Sequence, residues 1–330
     1  MKHKVGIIGY GTMGKIRKKA ILELEKAEII AISEPNLPLN FTEFPNLSQD
    51  EIINHNEVNI ILVCTPNYLN KELTIQALRA GKHVFCEKPP AFTASDVNEI
   101  RLIEKESEKK LMYGFNHRHH DSIMDMKKLI DSGEYGRVLW SRGRYGKSVT
   151  ENYFTEWRAK KEMAGGGILI DQGIHMLDLF LYLTGDYNVV KAEVSNLYWK
   201  MDVEDNAFVI LKDSHTGKVA SMHSTMSQWR HLFSLEIFLE KGYMVLNGLI
   251  TSTMSYGEEV LSVAKNRSTA PAATWKDEVI TNYSVNNSWR YEMEHFLNAI
   301  EKNTPIEIGN SEDAFKLMTI IDEIYSQKDF

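Results

Sequence analysis

Cysteine is scarce in this chain, and long apolar runs and an excess of positive charge are absent. The two cysteines, Cys64 and Cys86, stand in apolar stretches, so we expect two small buried side chains rather than a disulfide or a metal pair. No apolar run reaches the length of a membrane span and no charged-then-apolar leader is seen. We therefore expect no signal peptide, no membrane span and a cytoplasmic protein. The net charge of -7 argues against nucleic-acid binding, which needs a basic surface.

The composition is that of an ordinary globular protein, and the length leaves room for two domains. Hydrophobic residues make up 43% and charged residues 25% of the 330 residues, which is typical of globular chains. The first third alternates short apolar runs with segments of helical spacing. This alternation predicts a doubly wound α/β domain with a parallel sheet, of about 120 residues. The predicted strands are 4–9, 28–33, 60–64, 83–87 and 111–115.

A glycine-rich loop, GYGTMG (9–14), joins the first predicted strand to the first predicted helix. In that context it matches a dinucleotide-binding fingerprint: Gly9 permits the tight turn, Gly11 lets the backbone approach a pyrophosphate, and Gly14 allows close helix packing. The helix N-terminus then holds the phosphate charge. A plain turn between strand and helix is the alternative. The cofactor contacts predicted from this loop are Gly9, Tyr10, Gly11, Thr12, Met13 and Gly14.

Glu34 ends the second predicted strand, 20 residues after Gly14. A carboxylate there can accept hydrogen bonds from both ribose hydroxyls of an adenosine, and it repels a 2′-phosphate. No arginine follows it. The sequence therefore favours NAD over NADP, the alternative being a surface glutamate in a loop.

The carboxyl ends of two further predicted strands lie on the same edge of the sheet as the glycine loop, where ligands bind in open α/β sheets. CTPN (64–67) places Thr65, Pro66 and Asn67 at the border of the cofactor. CEKPP (86–90) adds Glu87 and directs Lys88 into the crevice near the reactive end. The alternative for Lys88 is a solvated lysine in a loop.

A helix is predicted at about 168–184, and it is apolar nearly all round. Such helices are buried. Asp171, His175 and Asp178 form its one narrow polar stripe, and buried carboxylates need bonding partners. The stripe is either a proton-transfer site or a structural Asp–His network, and Asp178 is assigned to the structural role.

The remainder of the chain reads as a second domain with antiparallel hairpins, closed by amphipathic helices at 289–303 and 313–327. FNHRHH (115–120) marks the domain junction, from which Asn116 and Arg118 are predicted to contact substrate. Its histidines and Asp121 offer a metal site as a weaker alternative, and we predict no metal. Trp157 and Arg158 precede the polar-striped helix and are predicted substrate contacts, or else belong to a surface loop.

Five motifs occur in one order along the chain: GYGTMG, CTPN, AGKHVFCEKPP, GGGILIDQGIHMLD and VEDNAFVIL. Together they resemble the Gfo/Idh/MocA family of nicotinamide-dependent oxidoreductases, which includes glucose–fructose oxidoreductase and inositol dehydrogenases. The resemblance covers essentially the whole chain, and the EKP and GGGxLxDxGxHxxD motifs are its specific parts.

The resemblance implies a Rossmann-like domain, placed here at 1–118, and a C-terminal α+β domain at 119–330 with a large open, mainly antiparallel sheet. It implies Lys88, Asp171 and His175 as the catalytic group, no required metal, and substrates among sugars, inositols, sugar acids and nucleotide sugars. The open sheet of such proteins often packs against a partner subunit, so we expect a homodimer or homotetramer.

The chain departs from the family pattern at two positions. The family commonly has a histidine three residues after the Asn of its TPN motif, and here that residue is Asn70. We expect Asn70 on the cofactor side, with altered nicotinamide contacts. Pro90 stands where the family often has Leu, and neither change removes a catalytic group.

We therefore expect an NAD-dependent dehydrogenase or reductase that transfers a hydride between nicotinamide and a secondary alcohol or ketone of a polyhydroxylated substrate. His175 would serve as acid/base, Lys88 would polarise the reacting oxygen, and Asp171 would orient the histidine or share the proton path. Two alternatives stay open: a catalytically weak NAD-binding regulatory or sensor protein, and a reductase of a non-sugar substrate. The complete set of three residues argues against both.

Overall fold

The computed structural model describes residues 2–38 and 40–327, and these form two compact units, each with its own sheet. The first unit takes its residues from Met1–Asn116 and Ser288–Thr319, and the second from His117–Asn287 and Ile320–Phe330. The predicted division into 1–118 and 119–330 is therefore revised, because one C-terminal helix packs into the core of the first unit.

Strands and helices alternate in the first third of the chain and segregate afterwards. The strands are β1 (His3–Ile8), β2 (Ala27–Ser33), β3 (Ile60–Val63), β4 (His83–Cys86), β5 (Leu111–Tyr113), β6 (Val138–Ser148), β7 (Val189–Ser195), β8 (Asn206–Lys212), β9 (Val219–Thr225), β10 (Ser227–Leu239), β11 (Gly242–Asn247), β12 (Glu259–Lys265) and β13 (Val279–Tyr283). The helices are α1 (Thr12–Leu22), α2 (Gln49–Ile53), α3 (Asn70–Arg79), α4 (Ala94–Ser107), α5 (Asp121–Asp131), α6 (Lys161–Ala164), α7 (Ile174–Thr184), α8 (Ser288–Glu301) and α9 (Ser311–Ser326).

The sheet of the first unit is parallel throughout, in the order β2-β1-β3-β4-β5. Its central strands are continuous apolar runs, buried along their whole length in β3, as expected when helices cover both faces. The strand order reverses between β1 and β3, and ligands of such sheets bind at the carboxyl ends of the strands beside that switch point. The topology thus selects the loops after β1 and β3 as the ligand edge.

Helix α8 completes the core of the first unit, and this is why Ser288–Thr319 belongs to that unit and not to the predicted second domain. Met293, Phe296 and Leu297 are fully buried in one cluster with side chains of the sheet and of α1. The Phe296 ring meets Phe85 of β4 edge to face, with centroids 5.8 Å apart, a favoured aromatic geometry. The sequence predicts this helix but cannot show which sheet receives its apolar face.

The sheet of the second unit has eight strands in the order β13-β12-β11-β10-β6-β9-β8-β7. Every pair is antiparallel except β6 with β9, which is parallel. Helix α7 packs on one face, where Gly143 of β6 leaves room for the Met176 side chain. The predicted fold class, a doubly wound parallel sheet plus an α+β domain with a mainly antiparallel sheet, is confirmed.

Several elements escape the sequence analysis. These are α2, α5, α6, β12 and β13. Within the described residues, every helix is too short or too polar to cross a bilayer.

Candidate active site

The glycine-rich loop lies between β1 and α1, at the ligand edge of the first sheet. Gly9 has φ of +90°, and a Cβ on it would clash with the Cys64 carbonyl. A Cβ on Gly14 would clash with the Gly9 carbonyl, so α1 packs directly on the turn. Gly11 faces open space: among the described residues no atom comes within 4 Å of a Cβ built there. This geometry suits a pyrophosphate, which needs an unobstructed backbone at the start of a helix.

Glu34 lies beside this loop, at the end of β2. The backbone N–H of Tyr10 donates to Oε2 of Glu34 at 3.0 Å, and the N–H of Asn36 donates to Oε1 at 3.1 Å. Both bonds fix the carboxylate next to the glycine turn. A negative charge there fits the ribose hydroxyls of NAD and opposes a 2′-phosphate.

The loop after β3 carries Thr65, Pro66 and Asn67 to the same edge. Asn67 is buried and begins a short 3₁₀ turn that leads into α3. The Thr65 hydroxyl donates to Oδ1 of Asn70 at 3.1 Å. This loop is therefore linked to the first residue of α3.

Asn70 holds the loop that carries Lys88. It is fully buried, and its Nδ2 donates to the carbonyl of Glu87 at 3.2 Å and to that of Pro89 at 2.8 Å. These two carbonyls flank Lys88, whose bond to Pro89 is cis. The amide of Asn70 is thus bonded to the backbone on both sides of the lysine, and its effect on nicotinamide contacts stays a prediction.

Glu87, a predicted cofactor contact, is buried in an ion cluster with Arg17 of α1 and Glu292 of α8. The Nε of Arg17 donates to Oε1 of Glu87 at 2.5 Å, and Nη1 donates to Glu292. Burial alone would lower the pKa of Arg17, but the two carboxylates raise it, so the cation persists. Gly114 makes room for this cluster, because a Cβ there would press against Glu87 and Arg17. The carboxylate of Glu87 thus anchors the start of the Lys88 loop.

In the second unit, the predicted helix at 168–184 begins with a π-helical turn, Leu169–Gly173, and continues as α7. π turns inside helices frequently occur at functional sites. Asp171 lies in this turn and His175 lies in the first turn of α7. The regular α-helical stripe predicted for these two residues is therefore modified by the wider turn between them.

Glu204 fixes the entry to this segment. Its Oε1 accepts hydrogen bonds from the N–H of Gly167 at 2.8 Å, the N–H of Leu169 at 3.1 Å and the hydroxyl of Tyr325 at 2.8 Å. A Cβ on Gly167 would clash with the Glu204 backbone. Gly167 is thus required by close backbone packing.

Asp171 is paired with two cations. Nζ of Lys147, on β6, lies 3.0 Å from Oδ2, and Nε of Arg158 lies 3.9 Å from Oδ1. The Arg158 guanidinium also lies over the Trp157 ring, 4.4 Å from its centroid. The two residues predicted to contact substrate from the preceding loop therefore lie beside the predicted catalytic aspartate.

His175 is buried and stacks on a second histidine. The His117 ring is nearly parallel to it, with centroids 3.9 Å apart. Nε2 of His117 lies 3.0 Å from the Tyr145 hydroxyl. Burial, followed by the neighbouring Tyr256 and Asp171, raises the pKa of Tyr145 well above its usual range. The phenol therefore stays protonated at neutral pH, and its contact with Nε2 helps to hold the His117 ring in place against His175.

Asp178 and Arg118 form a buried ion pair about one helical turn after His175. Nε of Arg118 donates to Asp178 Oδ2 at 2.9 Å, and Nη2 donates to Oδ1 at 2.6 Å. This two-pronged geometry is the strong form of such pairs. It agrees with the structural role predicted for Asp178 and commits the Arg118 guanidinium to the protein interior.

The remaining residues of FNHRHH point to different partners. Asn116 donates through Nδ2 to the Ser288 hydroxyl at 3.2 Å within the first unit. Nδ1 of His120 lies 3.0 Å from Oε2 of Glu259. In the described part of the chain, no three His, Cys, Asp or Glu side chains converge as metal ligands would.

The predicted site residues fall into two sets, one in each unit. The first unit holds Gly9, Tyr10, Gly11, Thr12, Met13, Gly14, Glu34, Thr65, Pro66, Asn67, Glu87, Lys88 and Asn116. The second unit holds Arg118, Trp157, Arg158, Asp171 and His175. Sequence reasoning missed the contacts of His117, Tyr145, Lys147 and Glu204. Two of them carried a signal, since Glu204 stands in the VEDNAFVIL motif and His117 stands in FNHRHH.

Comparison with known proteins supports this organisation. The model of the oxidoreductase family with an NAD-binding Rossmann fold matches residues 3–115, and the GFO/IDH/MocA C-terminal domain matches residues 123–245. Levoglucosan dehydrogenase of Pseudarthrobacter phenanthrenivorans is 33% identical over 208 residues, which are 58% of this chain and 53% of that protein. The match thus spans about half the length of that relative.

Two further proteins extend the likeness along the chain. Inositol 2-dehydrogenase of Klebsiella pneumoniae is 27% identical over 320 residues, 91% of this chain and 87% of that protein. A structure of levoglucosan dehydrogenase in complex with NADH and levoglucosan has a TM-score of 0.86 at 24% identity, over 99% of this chain and 97% of that one; at this identity it supports the fold. The chain belongs to the GFO/IDH/MocA oxidoreductase family, and its first unit is an NAD-binding Rossmann domain.

Proposed function

We propose that this protein is an NAD-dependent oxidoreductase acting on a secondary alcohol or ketone of a sugar, inositol, sugar acid or nucleotide sugar. Relatives named as levoglucosan and inositol dehydrogenases support this substrate class. The observation that carries the proposal is the Asp171–His175 segment. In this segment the ion-paired carboxylate of Asp171 lies in the π turn, and the buried imidazole of His175 lies in the first turn of α7.

The first unit fits NAD on features of its own geometry. Gly11 leaves the loop open, Gly14 lets α1 pack close behind it, and the Glu34 carboxylate lies beside the turn. NAD, when bound, supplies the hydride acceptor for alcohol oxidation or, as NADH, the donor for ketone reduction. Thr65, Pro66 and Asn67 would border it from the next strand end.

In the proposed oxidation His175 takes the hydroxyl proton of the substrate, and in reduction it returns that proton. The His117 ring stacked on it holds the plane of the imidazole in place. Lys88 polarises the reacting oxygen, and its loop is held by Asn70 and Glu87.

Asp171 balances the local charge, with Lys147 and Arg158 as its partners. Trp157, Arg158 and Asn116 remain proposed substrate contacts. Arg118 is given a structural role in the proposal, because its guanidinium bonds Asp178.

The decisive test combines a cofactor-consumption screen with two variants. Inositols, aldoses, sugar acids and nucleotide sugars are assayed with NAD and NADP in parallel, and the active pair is repeated with Lys88→Ala and His175→Ala. Removal of the acid/base should lower kcat by about 10²- to 10⁴-fold, while NADH binding followed by fluorescence persists in His175→Ala. Near-wild-type turnover in both variants contradicts the assignment, and activity with NADP alone contradicts the role of Glu34.

We also propose a homodimer or homotetramer formed through the sheet of the second unit. Large apolar side chains stand exposed on its uncovered face, among them Phe208 at 44% and Ile210 at 53% exposure. A sheet face of this kind is stabilised when another surface covers it. Light scattering measures the mass in solution, and a monomer contradicts the proposal. The cytoplasmic location stays a prediction.

A further inference from the structure

An aromatic group stands exposed on the second unit and takes no part in the proposed reaction. Phe154, Tyr198 and Trp229 are 43%, 58% and 59% exposed, around a half-buried Trp199. The Tyr198 ring lies 4.8 Å from Trp229 and 5.1 Å from Trp199, and Phe154 lies 6.1 Å from Trp199. The rings meet edge to face, so they support one another while broad ring surface stays open to solvent. We name Phe154, Tyr198, Trp199 and Trp229 the aromatic platform.

The backbone of the platform is fixed from below by one carboxylate. The N–H groups of Leu197, Tyr198 and Trp199 all donate to Asp205, each at 2.8 Å. Burial opposes ionisation of Asp205, but these bonds lower its pKa below the usual value. The indole N–H of Trp199 donates to the Met226 carbonyl at 3.2 Å. The rings are therefore held in place before any ligand arrives, which reduces the entropy lost on binding.

Trp229 adopts a backbone conformation that bulky residues rarely take. Its φ is +59°, and it lies where the pairing of β10 with β6 is interrupted between Ser227 and Leu232. A bulge of this kind redirects a side chain, and residues held in the left-handed region cluster at ligand sites. The fold thus tolerates local strain to present an exposed indole.

The platform adjoins the Asp171–His175 segment through shared packing. Trp199 packs on the buried cluster that contains Tyr153 and Ile168. The Tyr153 ring lies 4.7 Å beneath Nζ of Lys147, the cation paired with Asp171. The VEDN motif connects the two regions directly, since Glu204 holds the entry to the Asp171 turn and the next residue, Asp205, holds the platform.

We propose that the aromatic platform is a binding subsite for the second sugar ring of a disaccharide or glycoside, whose first ring reacts at His175. A pyranose presents axial C–H groups of slight positive charge, and these stack on the negative face of an aromatic ring. The inference rests on the proposed function only in assigning the first ring to the reaction.

The geometry favours an uncharged sugar ring over a nucleobase as the occupant of the platform. Rings that meet edge to face expose single faces, and they do not form the two parallel walls that would sandwich a nucleobase. The exposed rings pack around Trp199. Trp199 shares a buried cluster with Tyr153, whose ring lies beneath the cation paired with Asp171.

Sugar binding without turnover tests the subsite independently of the reaction. The NADH-loaded protein is titrated with D-glucose, maltose, cellobiose and UDP-glucose by calorimetry and tryptophan fluorescence. At least one disaccharide should bind about tenfold more tightly than glucose. Trp229→Ala and Tyr198→Ala should each remove that advantage, whereas Tyr198→Phe keeps the ring and should retain it. Trp275→Ala is the matched control, because Trp275 is 73% exposed and lies outside the platform.

Several outcomes would overturn the subsite. These are equal affinity for glucose and both disaccharides, no binding of any disaccharide, or an undiminished disaccharide preference in both alanine variants. A preference for UDP-glucose that Trp229→Ala removes would assign the platform to a nucleobase instead. A fall in solution mass in Trp229→Ala would assign it to a subunit interface. Tight disaccharide binding without turnover would leave the subsite supported and contradict the reaction.

Discussion

The Lys88 loop and the Asp171–His175 segment are held in place by different kinds of contact. Around Lys88, one amide bonds two backbone carbonyls and a buried ion cluster anchors the preceding residue. Around Asp171 and His175, the partners are side chains from several elements, among them Lys147, His117 and Glu204. The first arrangement fixes the position of a loop, whereas the second surrounds two titratable side chains with cations and aromatic rings.

Removal of the buried cation beneath the Lys88 loop should give the largest effect on stability. Arg17→Met leaves Glu87 and Glu292 buried together without their cation, and breaking a buried ion group costs about 3–5 kcal/mol. Urea unfolding at neutral pH measures this loss. Arg101→Met is the control, because its pair with Glu312 is largely exposed and should contribute less than about 1 kcal/mol. Equal losses in the two variants would show that the ion cluster does not support the loop.

A smaller effect, on rate rather than stability, should follow when Asn70 is replaced. Asn70→Ala frees the carbonyls on both sides of Lys88, and a misplaced catalytic group can lower the rate by about 10- to 100-fold. We expect that loss in kcat with the substrate found by the cofactor screen, and little change in NADH affinity. Asn54→Ala is the control, since its Nδ2 also donates to a backbone carbonyl, that of Asp50, at an exposed position. Weaker NADH binding with normal kcat would show that Asn70 acts on cofactor binding and not on the position of Lys88.

The difference between the Lys88 loop and the Asp171–His175 segment also explains which features the sequence could predict. Apolar runs between helices predict the five parallel strands, because buried strands need continuous apolar residues. The glycine loop, Glu34 and Lys88 follow from that topology, since their positions are set by the ends of strands.

The partners of the site residues could not be predicted, because distant segments supply them. Glu292 meets Arg17 across 275 residues and Asp178 meets Arg118 across 60. The π turn at Leu169–Gly173 depends on Glu204, a residue that lies in a later strand connection. Periodicity reports which face of a helix is buried, but it does not report which side chain will cover that face.

The smallest predicted effect concerns His83, a histidine of the first sheet that takes no part in the proposed reaction. His83 begins β4, accepts the N–H of Lys110 through Nδ1 at 3.0 Å, and has a pKa lowered to about 4, first by burial and then by nearby cations such as Lys109. Between pH 6.5 and 4 the unfolded chain binds a proton at this residue that the folded chain does not, so folding stability must fall as the pH falls through that window. His83→Asn keeps an acceptor near the position of Nδ1 and removes the titration. Thermal unfolding of both proteins from pH 7 to pH 4 should therefore show a shallower loss of stability in the variant, and a difference that does not change with pH would show that His83 is protonated alike in both states.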